Sequence, residues 1–284
     1  MHIRKTLFAG SWYPADATSC EWEINKFLKE DSHFGTDENA CIGGIVPHAG
    51  WFYSGAIACQ VIRRLALKPP PDVILIFGMH LASGSPNYIM TNGAWETPFG
   101  DLVIDSDLAR ELTKRFAFQV ETTTEFKSDN TIELQLPFIK YFFNSVKIVP
   151  IGVPPDHSSI ELAKSAADAA TRLGLQVRVI GSTDLTHYGR NYGFMPKGTG
   201  SSAVDWVRDK NDRQVIDAIL AMDPEKVLTN AAANNNACCA GAAASAIAVA
   251  QSLGAETSRT VAYATSYDKS PGDSLVGYVG IVFS

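Results

Sequence analysis

Long apolar runs are missing from this 284-residue chain, and no stretch approaches the ~20 residues that span a bilayer. Cysteine is scarce and odd in number, five in all at 20, 41, 59, 238 and 239, which is no disulfide framework and fits a reducing cytoplasm. The first ten residues are basic without the apolar centre of a signal peptide, so a cytoplasmic location is expected. Basic clusters are lacking as well. With 24 Lys and Arg against 30 Asp and Glu the formal net charge is −6, which gives nucleic acid or an anionic membrane little to hold. No Gly-rich phosphate loop follows a strand, because Gly43-Gly44 lies inside one, and there is no Gly-x-Ser-x-Gly elbow. Neither a repeat nor a Gly/Ser linker divides the chain, and the loop-like Gly198 to Ser202 is too short to separate domains.

What remains is a globular composition, 46% hydrophobic and 19% charged, long enough to bury a core without staples. Short apolar, largely β-branched runs at 41–46, 73–77, 146–151 and 176–180 read as strands covered on both faces. Helical patterns near 54–67, 106–115 and 159–173 have the length of βαβ crossovers. Asp223-Pro224 starts a short helix to about 231. The Ala-rich 240–252 segment reads as a buried helix, and two strands follow at 259–265 and 275–283. The expectation is one α/β domain over 1–284, with a mainly parallel or mixed central sheet flanked by helices.

Ligands of open α/β sheets bind beyond the carboxyl ends of the strands, and the reactive side chains of this sequence fall there. His48 follows the first strand, His80 the second, and Asp184 and His187 the fourth. Cys238 and Cys239 open the Ala-rich helix, where the helix N-terminus favours a thiolate, although a small side chain also packs well beside alanines. The packing reading is taken for Cys239 and the functional one for Cys238, the latter partly because of the resemblance given next. Cys20, Cys41 and Cys59 lie in apolar patterns and read as core. Imidazole with thiolate suits Zn(II), Fe(II) or copper and not Mg(II) or Ca(II), though spacing alone establishes no metal. Asp129 and Glu133 could face the same crevice, an exposed acid on a first helical turn being the commoner fate. His157 reads as a loop residue before a helix, and His2 and His33 carry no signal.

The chain resembles the Memo-like proteins, whose microbial members are called AmmeMemoRadiSam system protein B. The resemblance runs end to end through Ala9-Gly10-Ser11-Trp12-Tyr13-Pro14, Pro47-His48-Ala49-Gly50-Trp51, Glu133-Leu134-Gln135-Leu136-Pro137-Phe138 and Ser182-Thr183-Asp184-Leu185-Thr186-His187-Tyr188. It closes with Thr265-Ser266-Tyr267 and Val276-Gly277-Tyr278. It implies a fold like that of class III extradiol dioxygenases, which use non-haem Fe(II). It also implies a pocket lined by two histidines and a cysteine that is associated with iron or copper. By motif these are His48, His80 and Cys238, the last from a Cys-x-x-Gly spacing laid on Cys238-Cys239-Ala240-Gly241. Asp184 and His187 match an Asp-x-x-His beside the pocket.

This chain departs from the family twice. Asn130 stands where a His-x-x-Glu is usual, and Phe77-Gly78-Met79-His80 replaces a Gly-Pro-x-His form.

Two functions are expected from these residues. In the first, a metal-dependent redox enzyme, His48, His80 and Cys238 hold Fe(II) or copper, with Zn(II) also possible. His187, oriented by Asp184, is then the acid/base. A thiolate in place of a carboxylate favours copper or lower-potential iron and weakens any claim of ring cleavage. In the second, the crevice binds a small molecule or peptide, sequesters a metal, or docks a protein partner, with Trp12, Trp51, Tyr53 and Glu133 as binding residues. Animal Memo-like proteins are linked to phosphopeptide adaptor roles. Metal-free hydrolysis or lyase chemistry through Cys238 and His187 is a weaker third.

Overall fold

The computed structural model describes residues 2–31, 41–67, 69–143 and 145–284; His33 lies outside them. Four apolar strands, Gly43–Val46, Val73–Gly78, Lys147–Gly152 and Val177–Ser182, form the parallel centre of a sheet. Gly43–Val46 pairs with Val177–Ser182, which pairs with Val73–Gly78, which pairs with Lys147–Gly152. The carboxyl ends of the first three therefore lie side by side. Every residue of these three strands is buried, which is why they read as mostly apolar runs without a clean alternation, Arg178 being the charged exception.

Antiparallel strands extend both flanks, so the sheet is mixed. Ser274–Phe283 runs against Gly43–Val46 and also carries Ser258–Thr265 and the short His187–Gly189. Asn87–Met90 runs against Lys147–Gly152 and pairs in parallel with Phe118–Glu121. A separate three-stranded sheet joins Ile3–Arg4, Ala94–Trp95 and Leu102–Val103. These short strands have no counterpart in the sequence reading. Two to four residues, several of them polar, carry too little pattern.

Two helices cover the central strands from opposite faces. A methyl group at Gly44 would strike Val61 of the Trp51–Leu65 helix, and one at Gly181 would strike Ala246 of the Ala240–Ser252 helix. Gly181 pairs with Ile45, the neighbour of Gly44, so side-chain alternation puts the two helices on different sides. The Ala240–Ser252 helix is apolar all round and buried over 240–250, as a central helix must be. The helix after Asp223 runs past the expected end near 231 to Asn234, where Asn235 adopts a left-handed cap (φ 50°).

Candidate metal centre and crevice

Asp184 Oδ1 accepts the backbone N–H of His48 at 2.7 Å, so the turn after one strand is tied to the turn after its neighbour. His48 is buried, and its Nδ1 lies 3.0 Å from Ser182 Oγ. That hydroxyl donates its single proton to the Thr131 carbonyl at 2.7 Å. It can therefore only accept from His48, which places the ring proton on Nδ1 and leaves Nε2 to face the cysteines. Cys238 Sγ sits 3.2 Å from that Nε2. Asn130, which also lines the crevice described below, donates to the His48 carbonyl at 3.1 Å and so ties this turn to its own helix.

His80 reaches the same place through a strained residue. Met79 has φ 73°, a left-handed conformation that a non-glycine side chain rarely adopts, and the Thr131 hydroxyl accepts its N–H at 2.7 Å. A methyl group on Gly78 would collide with Thr131 Oγ1, so glycine is required for this approach. The Thr131 hydroxyl in turn donates to Asp129 at 2.9–3.0 Å. Asp129 is thus neither an exposed acid nor a crevice residue. It is a buried N-cap that accepts the Ile132 N–H and steadies Thr131.

Cys238 and Cys239 immediately precede the Ala240–Ser252 helix, Cys239 as its cap. The Cys238 N–H donates to the Asp184 carbonyl at 3.1 Å, and the Asp184 N–H donates to Cys238 Sγ at 3.3 Å. Burial opposes the Cys238 thiolate, but the Cys239 thiol and the imidazoles of His48 and His187 outweigh it, so this thiol titrates well below its ordinary value. Burial and the neighbouring sulfur push the Cys239 thiol the other way. Burial also disfavours a charged His48, yet Asp184 and Cys238 overcome that and hold its pKa at about 9.

The four ligand atoms of His48, His80, Cys238 and Cys239 lie within 4.8 Å of one another. The rings of His48 and His80 meet edge to face with centroids 4.9 Å apart. Two imidazoles and sulfur in one cluster fit a soft or borderline metal, and the proton placement on His48 fits ligation through Nε2. Cys239 packs in the core as expected, and its sulfur also belongs to the cluster. The sequence hides this because neighbours within a helix diverge, whereas Cys239 has non-helical angles (φ −129°, ψ 55°).

A crevice of about 620 Å³ opens over this cluster, lined by His48, His80, Asp184, His187, Trp12 and Tyr53 among others. His187 packs its ring against Tyr192 (centroids 4.9 Å). Its buried Nε2 has no hydrogen-bond partner among the described residues and lies 3.9 Å from Asp184 Oδ2, too far for the expected orienting bond. Burial disfavours its charged form, but Cys238 and Asp184 raise its pKa above the ordinary value. Asp184 itself is pushed up by burial, against the pull of His48.

Two expected binding residues lie elsewhere. Trp51 is buried, stacks on Phe138 at 4.1 Å and donates its indole N–H to the Leu134 carbonyl. Glu133 is fully buried, and its carboxylate accepts from the N–H groups of Leu7 and Phe8 and from the Tyr13 hydroxyl. Both hold the N-terminal segment against the core and are absent from the wall of this crevice. His157 is the exposed first residue of a helix, paired with Glu225.

A helix-covered mixed α/β sheet with a His/Cys group at its strand ends, a group that could hold a metal ion, defines the class of protein. The family model described as "Memo-like protein" matches residues 4–282, and the chain belongs to that family. It is 32% identical to a MEMO1 family protein of Thermococcus onnurineus over 290 residues, covering 99% of each chain. It is 33% identical to MEMO1 family protein PF1638 of Pyrococcus furiosus over 289 residues, covering 99% of this chain and 98% of the other. A solved structure, the uncharacterized protein JW3007 from Escherichia coli K12, shares the fold with a TM-score of 0.55 at 8% identity, over 85% of this chain and 99% of that one. No described helix is long and apolar enough to cross a membrane.

Proposed function

We propose that this protein binds iron or copper through His48, His80 and Cys238 and carries out oxidation–reduction of a small organic molecule held in the adjoining crevice. The observation that carries the reading is the convergence of those ligand atoms, within 4.8 Å of one another, beside a 620 Å³ crevice that His48 and His80 help to line. The family's likeness to dioxygenase folds supports it. The metal, when bound, supplies electron transfer at its own centre. The chain supplies the rest. Trp12 and Tyr53 offer aromatic walls to an organic ligand or peptide, and Asp184 holds the His48 turn in place. His187 holds or accepts a proton at its Nε2, which has no hydrogen-bond partner among the described residues, and Cys238 and Asp184 raise its pKa against the effect of burial.

Metal analysis of anaerobically purified protein, followed by oxygen consumption with catechols and thiols, tests this reading. Stoichiometric metal with substrate-dependent oxygen uptake supports it, and metal without any uptake favours a second reading. In that reading the cluster sequesters or passes on a metal, Zn(II) included, without turnover. The specific observation in its favour is the second sulfur, Cys239.

A further inference from the structure

We propose that Cys239 is a fourth metal ligand, and that this chain builds a closed two-nitrogen, two-sulfur site suited to Cu(I) or Zn(II). The proposal rests on the reading of the cluster as a metal centre, and adds to it the ligand that the Cys-x-x-Gly resemblance does not supply.

Geometry carries the inference. In a tetrahedral site with metal–sulfur bonds of about 2.3 Å and metal–nitrogen bonds of about 2.0–2.1 Å, sulfurs lie about 3.8 Å apart and sulfur and nitrogen about 3.5–3.6 Å apart. The Cys238 and Cys239 sulfurs are 3.8 Å apart. Cys239 Sγ is 3.5 Å from His80 Nδ1, and Cys238 Sγ is 3.2 Å from His48 Nε2. Three of the six edges of the cluster thus match a tetrahedron to within a few tenths of an ångström, and the other three lie within 4.8 Å, so the side chains close in further around an ion.

Adjacent cysteines reach one ion because the backbone is anchored at both residues. The Cys238 N–H is held by the Asp184 carbonyl and the Cys239 N–H by Thr183 Oγ1 at 3.0 Å. With Cys239 outside helical angles, both sulfurs turn toward the His48 and His80 side chains. Cys239 is buried within the apolar core, and its thiol donates to the Met79 carbonyl at 3.5 Å, a bond that a metal-bound thiolate gives up.

The consequence is chemical. Two imidazoles and one thiolate leave a tetrahedral ion one open position, and a second thiolate fills it. Thiolate pairs draw the softer ions, so Cu(I) and Zn(II) gain over Fe(II). A ligand entering the crevice then meets a filled coordination sphere, and reaches the ion only by displacing a protein ligand or adding a fifth.

Two measurements on the full chain test this. X-ray absorption on Zn(II)-loaded wild-type protein counts sulfur neighbours directly; two sulfurs are expected, and one overturns the proposal. Co(II) substitution of wild type, Cys238→Ser, Cys239→Ser and Cys239→Ala then separates the roles. The sulfur-to-cobalt charge-transfer intensity per bound ion should fall by about half in both Cys239 variants, and Zn(II) affinity by more than the ~10–100-fold that loss of a mere supporting contact costs. Cys239 variants with wild-type spectra and affinity overturn the fourth ligand while leaving the His48, His80 and Cys238 site standing. Wild-type protein that takes up neither ion overturns the metal reading as well.

Discussion

Ser182 Oγ accepts the Nδ1 proton of His48 at 3.0 Å while donating to the Thr131 carbonyl, and this one hydroxyl decides which imidazole nitrogen faces the cysteines. Ser182→Ala removes the constraint with little change in shape. Metal affinity should fall ~10–100-fold, as for other contacts that orient a metal-binding imidazole, and stability by about 1–3 kcal/mol. Competition titration with a chelator reads the first and urea unfolding the second. An unchanged affinity would show that the tautomer is fixed by something else.

Metal uptake must displace the proton that Asp184 and Cys238 hold on His48. With that pKa at about 9, affinity should rise with pH through the neutral range, and the His48 part of that rise should end near 9. Calorimetry in buffers of different ionisation enthalpy should show about one proton released per ion near pH 7 from His48. Asp184→Asn keeps an acceptor for the His48 N–H but removes the charge 3.8 Å from its Nε2, so the imidazole sheds its proton at lower pH and the pH dependence should weaken. A variant that binds no metal would instead identify Asp184 as a ligand.

Behind the crevice, Asp212 accepts from the Thr186 N–H and hydroxyl and from Tyr263. Burial raises its pKa from 3.8 to about 6 despite those bonds. Because the folded state holds this proton more tightly than the unfolded one, the contribution of Asp212 to stability is lost as pH rises from about 4 to 6. The ionised group then costs about 3 kcal/mol at pH 7. In Asp212→Asn the difference in unfolding free energy between pH 7 and pH 5 should shrink by ~1.3 kcal/mol, since part of that cost is already present at pH 5, where the unfolded carboxyl is ionised. Equal pH dependence in the two proteins would contradict the assignment.

Glu133→Ala leaves the N–H groups of Leu7 and Phe8 and the Tyr13 hydroxyl without their shared acceptor. A loss of about 3 kcal/mol or more is expected, with proteolysis appearing first near residues 5–14. Metal binding at low temperature should survive, since Glu133 stands apart from the cluster. Loss of metal before loss of fold would return Glu133 to the site.

The central strands and the Ala-rich helix are legible in the sequence because full burial leaves continuous apolar runs. Asn87–Met90 and Phe118–Glu121 are not, since four residues without alternating burial give no period to read. At the site, strand ends locate His48, His80 and Asp184. The tasks of Trp51 and Glu133 are invisible because their partners lie as far as 126 residues away, at Leu7 for Glu133. Cys239 is hidden for a similar reason, a backbone turn that depends on Thr183, 56 residues earlier.

The most direct test of the account is the metal content per chain of protein purified without oxygen, wild type beside His48→Ala and Cys238→Ser. The account predicts one copper or iron ion per wild-type chain, with nitrogen and sulfur neighbours at about 2.0–2.3 Å, and essentially none in either variant. Wild-type protein that stays metal-free after loading, or variants that retain the full metal content, would contradict it.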